Sequence, residues 1–197
     1  MAKRRRRTHY EFKPDSNRVP LHKKLHLTAL QRKQLLQWTL NSLLCLVLLI
    51  IQDVIMSQVS IRGSTTDLVP AAMLLIAVIS DAYDGSLFLL LGSTFYVFSG
   101  SAPGPYAIAF LTVLGVAAAL FRQSFWHRGF RSNILCAGLA LLGYEMAVFG
   151  TGIFLGLTHW GRILIFLGTT GLSFLVMLAL YPLARAIQKI GGELWRE

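Results

Sequence analysis

The stretch Leu35–Met56, LLQWTLNSLLCLVLLIIQDVIM, is 22 residues of nearly unbroken apolar character. As an α-helix it reaches about 33 Å, enough to cross a hydrocarbon layer about 30 Å thick. In lipid every backbone polar group must be satisfied within the segment, which leaves the helix as its conformation. Its apolar part is too long for a signal peptide and no small-x-small cleavage site follows, so it is expected to stay as a first transmembrane helix. Five more apolar stretches follow, at about 68–80, 86–99, 106–121, 133–157 and 163–183. The pattern predicts an all-α integral membrane protein, a six-helix transmembrane bundle over residues 28–183. Composition agrees, because 54% hydrophobic residues against 14% charged is too apolar for a soluble domain of 197 residues.

The net charge of +10 suggests nucleic acid until it is located. Residues 1–33 hold 11 of the 19 Lys and Arg against Glu11 and Asp15, so the charge belongs to a tail. Residues 1–27 are basic and lack apolar periodicity, and read as a disordered segment that meets anionic lipid and sets orientation, with no nucleic acid expected. His9, His22 and His26 have no metal-ligand spacing. Thr28-Ala29-Leu30-Gln31 fits a capping box at the start of the first helix. With six crossings and the tail inside, 17 Lys and Arg fall on the inner side against Arg62 and Arg162 outside. Both termini are therefore predicted to be cytoplasmic. Trp38, Trp126, Trp160 and Trp195 all fall near predicted interfaces, as indole rings prefer. Residues 184–197 read as an amphipathic extension at the inner surface, broken at Gly191-Gly192.

The second and third segments are short for a crossing. Between them, Ser80-Asp81-Ala82-Tyr83-Asp84-Gly85 is either an inner turn or the tip of a re-entrant hairpin. Two aspartates at a buried tip are costly, which favours true crossings. Asp81 and Asp84 form a candidate polar turn, and a solvated turn that caps the third helix is the expected role ahead of a carboxylate pair or metal site. Pro70 fits a first helical turn capped by Thr66 or Asp67.

Glu145 lies near the middle of the fifth segment, in LALLGYEMAVFG. An ionisable group there is expensive and should face the bundle interior. It is a candidate intramembrane polar site, open between a proton relay, a ligand contact, a clasp on a partner helix, and a hydrogen-bonded group inside the bundle. Asp53 and Gln52 read as interfacial. Cys45 and Cys136 read as small packing residues, since both lie inside apolar runs. Gly138, Gly143, Gly150, Gly152 and Gly156, with Gly161, Gly168 and Gly171 beyond, suit close helix packing. No motif for catalysis is complete: Asp84-Gly85 begins a phosphatidyl-alcohol transferase signature whose other residues are absent, and neither a G-x-S-G nor an H-E-x-x-H order occurs. No cofactor or metal is implied.

The segment 67–131 resembles the rod shape-determining protein MreD family. Gly85 and Gly92 stand for the family's spaced glycines on a short helix, Ser99-Gly100 for its Ser-Gly turn, and Gly104-Pro105-Tyr106-Ala107 for the start of the next helix. Phe121-Arg122 stands for the basic end of that helix, and Asp67-Leu68-Val69-Pro70 resembles the family's Pro-Asp-Leu opening with the order changed. Where the family has an acid three residues before the turn, this chain has Tyr96; Asp84 is a candidate substitute on proximity along the chain. The resemblance implies a non-enzymatic role in the bacterial inner membrane, bound to an MreC-like single-span protein and associated with MreB-type filaments and peptidoglycan synthases. Gly85, Gly92, Tyr96, Ser99, Gly100, Gly104 and Tyr106 are then candidate partner-binding or packing residues. The family's fold is similar to the substrate-binding component of energy-coupling-factor transporters, which supplies an alternative, a vitamin-binding transport subunit. Such subunits dock through an Ala-x-x-x-Ala pattern on the first helix, and Leu35–Met56 contains no alanine.

Overall fold

A computed structural model describes residues 29–56, 66–125 and 129–191. The basic tail, Thr28, Arg62, Trp126, Arg128, Gly192, Trp195 and Arg196 lie outside the described residues. Six α-helices make up the described chain, with no strand. They are α1 (Ala29–Ile51), continued by a π-helical turn (Gln52–Met56), then α2 (Leu68–Ile79), α3 (Ala82–Phe98), α4 (Tyr106–Phe125), α5 (Phe130–Phe154) and α6 (Ile163–Ile190). A 3-10 turn at Trp160–Arg162 leads into α6.

Four of these segments are long and apolar enough to cross a membrane, Gln31–Val54, Tyr106–Ser124, Phe130–Phe154 and Trp160–Ile190. The other two have 12 and 17 residues, about 18 Å and 26 Å, and are shorter than a full crossing. The helix α3 begins at Ala82, four residues before its apolar stretch. Asp81 stands at the N-cap position, and Tyr83 and Asp84 belong to a first turn that hydropathy discounts. At the other end of the chain, α6 continues through Pro182 to Ile190, with Ala184 and Ile187 buried against the bundle.

The short helix α2 occupies the centre. Every residue from Leu68 to Val78 is buried. A helix that is apolar on all sides and covered on all sides lies in an interior. It touches each of the other five helices, which form a ring around it in the order α1, α3, α4, α5, α6 and back to α1. The seam between α1 and α3 is the thinnest part of that ring.

Glycine explains how α3 lies so close to the centre. A Cβ at residue 85 would sit 2.6 Å from the Ala77 carbonyl oxygen, and one at residue 92 would sit 3.0 Å from Met73 Sδ. The smooth face of α3 is thus occupied by α2 of the same chain. Trp38 of α1 and Phe88 of α3 meet edge to face at 6.0 Å, closing that side.

The alternation of helices sorts charge. Among the described residues, Arg32, Lys33, Arg122, Arg131, Arg185 and Lys189 lie at one end of the bundle, called here the basic end, and Arg162 lies at the other. Asp53 and Asp67 lie on the side opposite the basic end.

Candidate functional site

The N-terminus of α2 stops inside the bundle, and a polar centre is built around it. Asp67 precedes the helix and its carboxyl lies beside that of Glu145 on α5, close enough to share a hydrogen bond. A carboxylate has no donor, so this bond needs one proton between the two groups. Glu145 is 3% exposed, whereas Asp67 is half-buried. From Glu145 to Phe154, where α5 ends, is a rise of about 14 Å, so the pair is recessed below the rim.

Other helices bring oxygen and nitrogen atoms to the same place. The Asp67 backbone N–H donates to Ser173 Oγ of α6 at 2.9 Å. Gln52, in the π-helical turn after α1, accepts from the Val69 N–H at 3.0 Å and donates to the Tyr96 hydroxyl at 3.2 Å. Two of the orphan N–H groups that open α2 are thereby satisfied, although Asp67 makes no side-chain cap bond. This corrects the expected capping role of Asp67, whose carboxyl is turned to Glu145 instead. Tyr144, the neighbour of Glu145, is fully buried, and its hydroxyl has no hydrogen-bond partner. That hydroxyl lies within electrostatic reach of Tyr96, Tyr106, Asp67 and Glu145. Glu145 Oε1 is likewise buried without a partner.

Just beyond lies the turn between α3 and α4. Ser99 Oγ donates to the Tyr96 carbonyl at 2.8 Å and faces Ser101 Oγ at 3.0 Å. Ser101 Oγ donates to Asp53 Oδ2 at 2.8 Å, which ties the turn to the end of α1. Gly100 has φ +80°, a left-handed conformation that glycine adopts without a Cβ penalty. The Tyr106 hydroxyl donates to the Pro103 carbonyl at 3.1 Å, and its ring lies where a side chain on Gly104 would stand.

The basic end has its own anchor. Arg122, 3% exposed, donates to the carbonyls of Ser80 at 3.0 Å and Ile79 at 3.4 Å and to Asn133 Oδ1 at 3.3 Å. A cation at a helix C-terminus opposes the macrodipole and covers orphan carbonyls. Asn133 Nδ2 reaches the Tyr181 hydroxyl at 3.4 Å, while Ser80 Oγ and Gln37 Nε2 both donate to Gln188 Oε1, at 3.4 Å and 2.6 Å.

The residues expected to act together are divided by the fold. Tyr96, Ser99, Gly100, Gly104, Tyr106 and Glu145 gather on the side of the polar centre. Asp81, Asp84 and Gly85 lie at the basic end. Asp81 holds the N-cap position of α3, yet no side-chain cap bond forms; its backbone carbonyl accepts from the Gly85 N–H at 2.7 Å. Asp84 cannot stand in for the acid missing at Tyr96, because the two lie about 18 Å apart along α3. Asp67, Glu145 and Asp53 are the acids within electrostatic reach of Tyr96. Reading the sequence missed Ser173 and the burial of Arg122, and it took Asp67 as a helix cap and Gln52 as interfacial rather than as parts of this centre. Among the described residues no group of three His, Cys, Asp or Glu gathers as metal ligands.

Four long apolar helices and two short ones, with Glu145 and Arg122 buried between them, define a multi-pass helical membrane protein. Comparison of the chain with family models, with curated proteins and with solved structures returned no match.

Proposed function

We propose that the chain is a non-enzymatic component of the bacterial cell-elongation machinery, of the MreD kind, in the inner membrane with both termini cytoplasmic. In this role it binds an MreC-like single-span protein and helps to organise lateral peptidoglycan synthesis near MreB-type filaments. The observation that carries the reading is the place of the segment on which the resemblance rests. Asp67-Leu68-Val69-Pro70 opens the enclosed helix, Gly85 and Gly92 lie against it, Ser99-Gly100 forms the turn, and Phe121-Arg122 closes on its far end. The residues of the motif therefore act as one construction, a central helix held at both ends.

The distribution of Lys and Arg in the described helices favours the basic end as cytoplasmic. A partner helix would then meet the outside of the ring, since the glycine face of α3 is already covered. An apolar groove of about 400 Å³ between α5 and α6, bordered by Leu139, Leu142, Leu167 and Gly171, offers such a surface. Depletion of the chain in its source bacterium tests the reading. Rod-shaped cells should round up and recover with the intact gene. Cells that keep their shape but require an added vitamin would favour the transport subunit instead.

A further inference from the structure

Three features remain after the packing is accounted for: the groove between α5 and α6, the Arg122 anchor, and the recessed polar centre. Nothing in the structure says what covers the groove, and Arg122 is engaged by the end of α2. The polar centre holds more binding capacity than its internal contacts use.

We infer that Asp67 and Glu145, with the hydroxyls of Tyr96 and Tyr144, form an intramembrane binding site for one exchangeable monovalent cation, a proton or Na⁺. The two carboxyls lie side by side, and a hydrogen bond between them requires one shared proton. Two like charges in contact in a water-poor interior cannot both persist unless a cation stands between them. A proton does this by joining the pair, leaving a net charge of −1. A Na⁺ ion that replaces the proton leaves the same net charge, so exchange is balanced.

Two further oxygens give the site capacity for a cation larger than a proton. Glu145 Oε1 and the Tyr144 hydroxyl are both buried without hydrogen-bond partners, and oxygen ligands of this kind suit a hard cation. The remaining single negative charge sits at the N-terminus of the 12-residue α2, where the helix dipole favours it. Asp67 is half-buried rather than sealed.

The titratable groups around the pair, among the described residues, are Asp53 after α1, Tyr96 on α3, Tyr106 on α4 and Tyr144 on α5. The helix α6 contributes Ser173. Asp53 is engaged by Ser101. A proton released on adding Na⁺ is therefore assigned to the carboxyl pair.

The test uses the purified full chain in detergent, weakly buffered, with a pH indicator. Adding NaCl, against matched choline chloride, should release up to one proton per chain from the wild type and none from Glu145→Gln. The amide of that variant can donate to Asp67 and keeps the contact without an exchangeable proton. Asp67→Asn serves as the second variant if the first does not fold. Titration without Na⁺ should show the wild type binding one exchangeable proton more than the variant. Uptake without Na⁺-driven release identifies the proton as the sole occupant and upholds a cation site of that kind. Equal uptake by wild type and variants, with no release on adding Na⁺, overturns the inference.

Discussion

Replacing Gly85 by alanine adds one methyl group at the closest approach in the bundle. The new Cβ would lie 2.6 Å from the Ala77 carbonyl oxygen, 3.1 Å from its Cα and 3.2 Å from its carbonyl carbon, where ordinary contact begins at 3.4 Å. All three are backbone atoms, so no rotamer change relieves them. To remove the clash α3 must retreat by about 0.8 Å, and a gap of that size forfeits a quarter to a half of each dispersion contact along the seam. Overpacking of this kind costs about 1–3 kcal/mol, and α2 cannot move away because other helices enclose it. Alanine recovers about 1 kcal/mol of helix propensity, which leaves a net loss of up to about 2 kcal/mol. Two further glycines calibrate the effect. At Gly92 the obstacle is Met73 Sδ at 3.0 Å, the flexible part of a side chain, so Gly92→Ala should be nearly neutral. At Gly150 nothing lies within 4 Å, so Gly150→Ala should match or exceed the wild type. Thermal unfolding of the purified chain in one detergent, read by loss of the monodisperse peak on size exclusion, should rank Gly85→Ala lowest, by up to about 8 °C. A Gly85→Ala variant as stable as Gly150→Ala refutes the close contact between α2 and α3.

Substitutions at three other positions follow from the two ends of the central helix and from the α3–α4 turn. Arg122→Met removes the donors to the Ser80 and Ile79 carbonyls and to Asn133, and should cost about 3 kcal/mol by the same assay, with Arg122→Lys intermediate; wild-type stability for Met would contradict the anchor. Glu145→Leu should cost about 2–3 kcal/mol, because Asp67 loses its partner, while Glu145→Gln should stay within about 1 kcal/mol of wild type. Gly100→Ala has open space around it but must hold φ +80°, so a loss of about 1–2 kcal/mol is expected from backbone strain, and none if the turn relaxes.

The long helices were legible because run length and hydropathy decide whether a segment can cross lipid. The central place of α2 was not, for a physical reason: lipid and protein interior are equally apolar, so LVPAAMLLIAVI reads alike in either. Its short length was the visible clue. Asp67 resembled an ordinary helix cap from its position alone. Its partner Glu145 lies on another helix, and only the packing of α5 against α2 brings them together. Glu145 itself stood out because a charge in an apolar run must be compensated. Arg122 read as part of the inward-facing charge, yet it is buried under the end of α2. Gly85 and Gly92 were recognisable as a packing face, and the structure supplies its occupant.

Affinity purification of the full chain from its native membrane in mild detergent tests the functional account most directly. The account predicts that a single-span MreC-like protein is retained, together with components of the wall-synthesis machinery. Retention of a transporter's energising ATPases, with no such single-span protein, would contradict it.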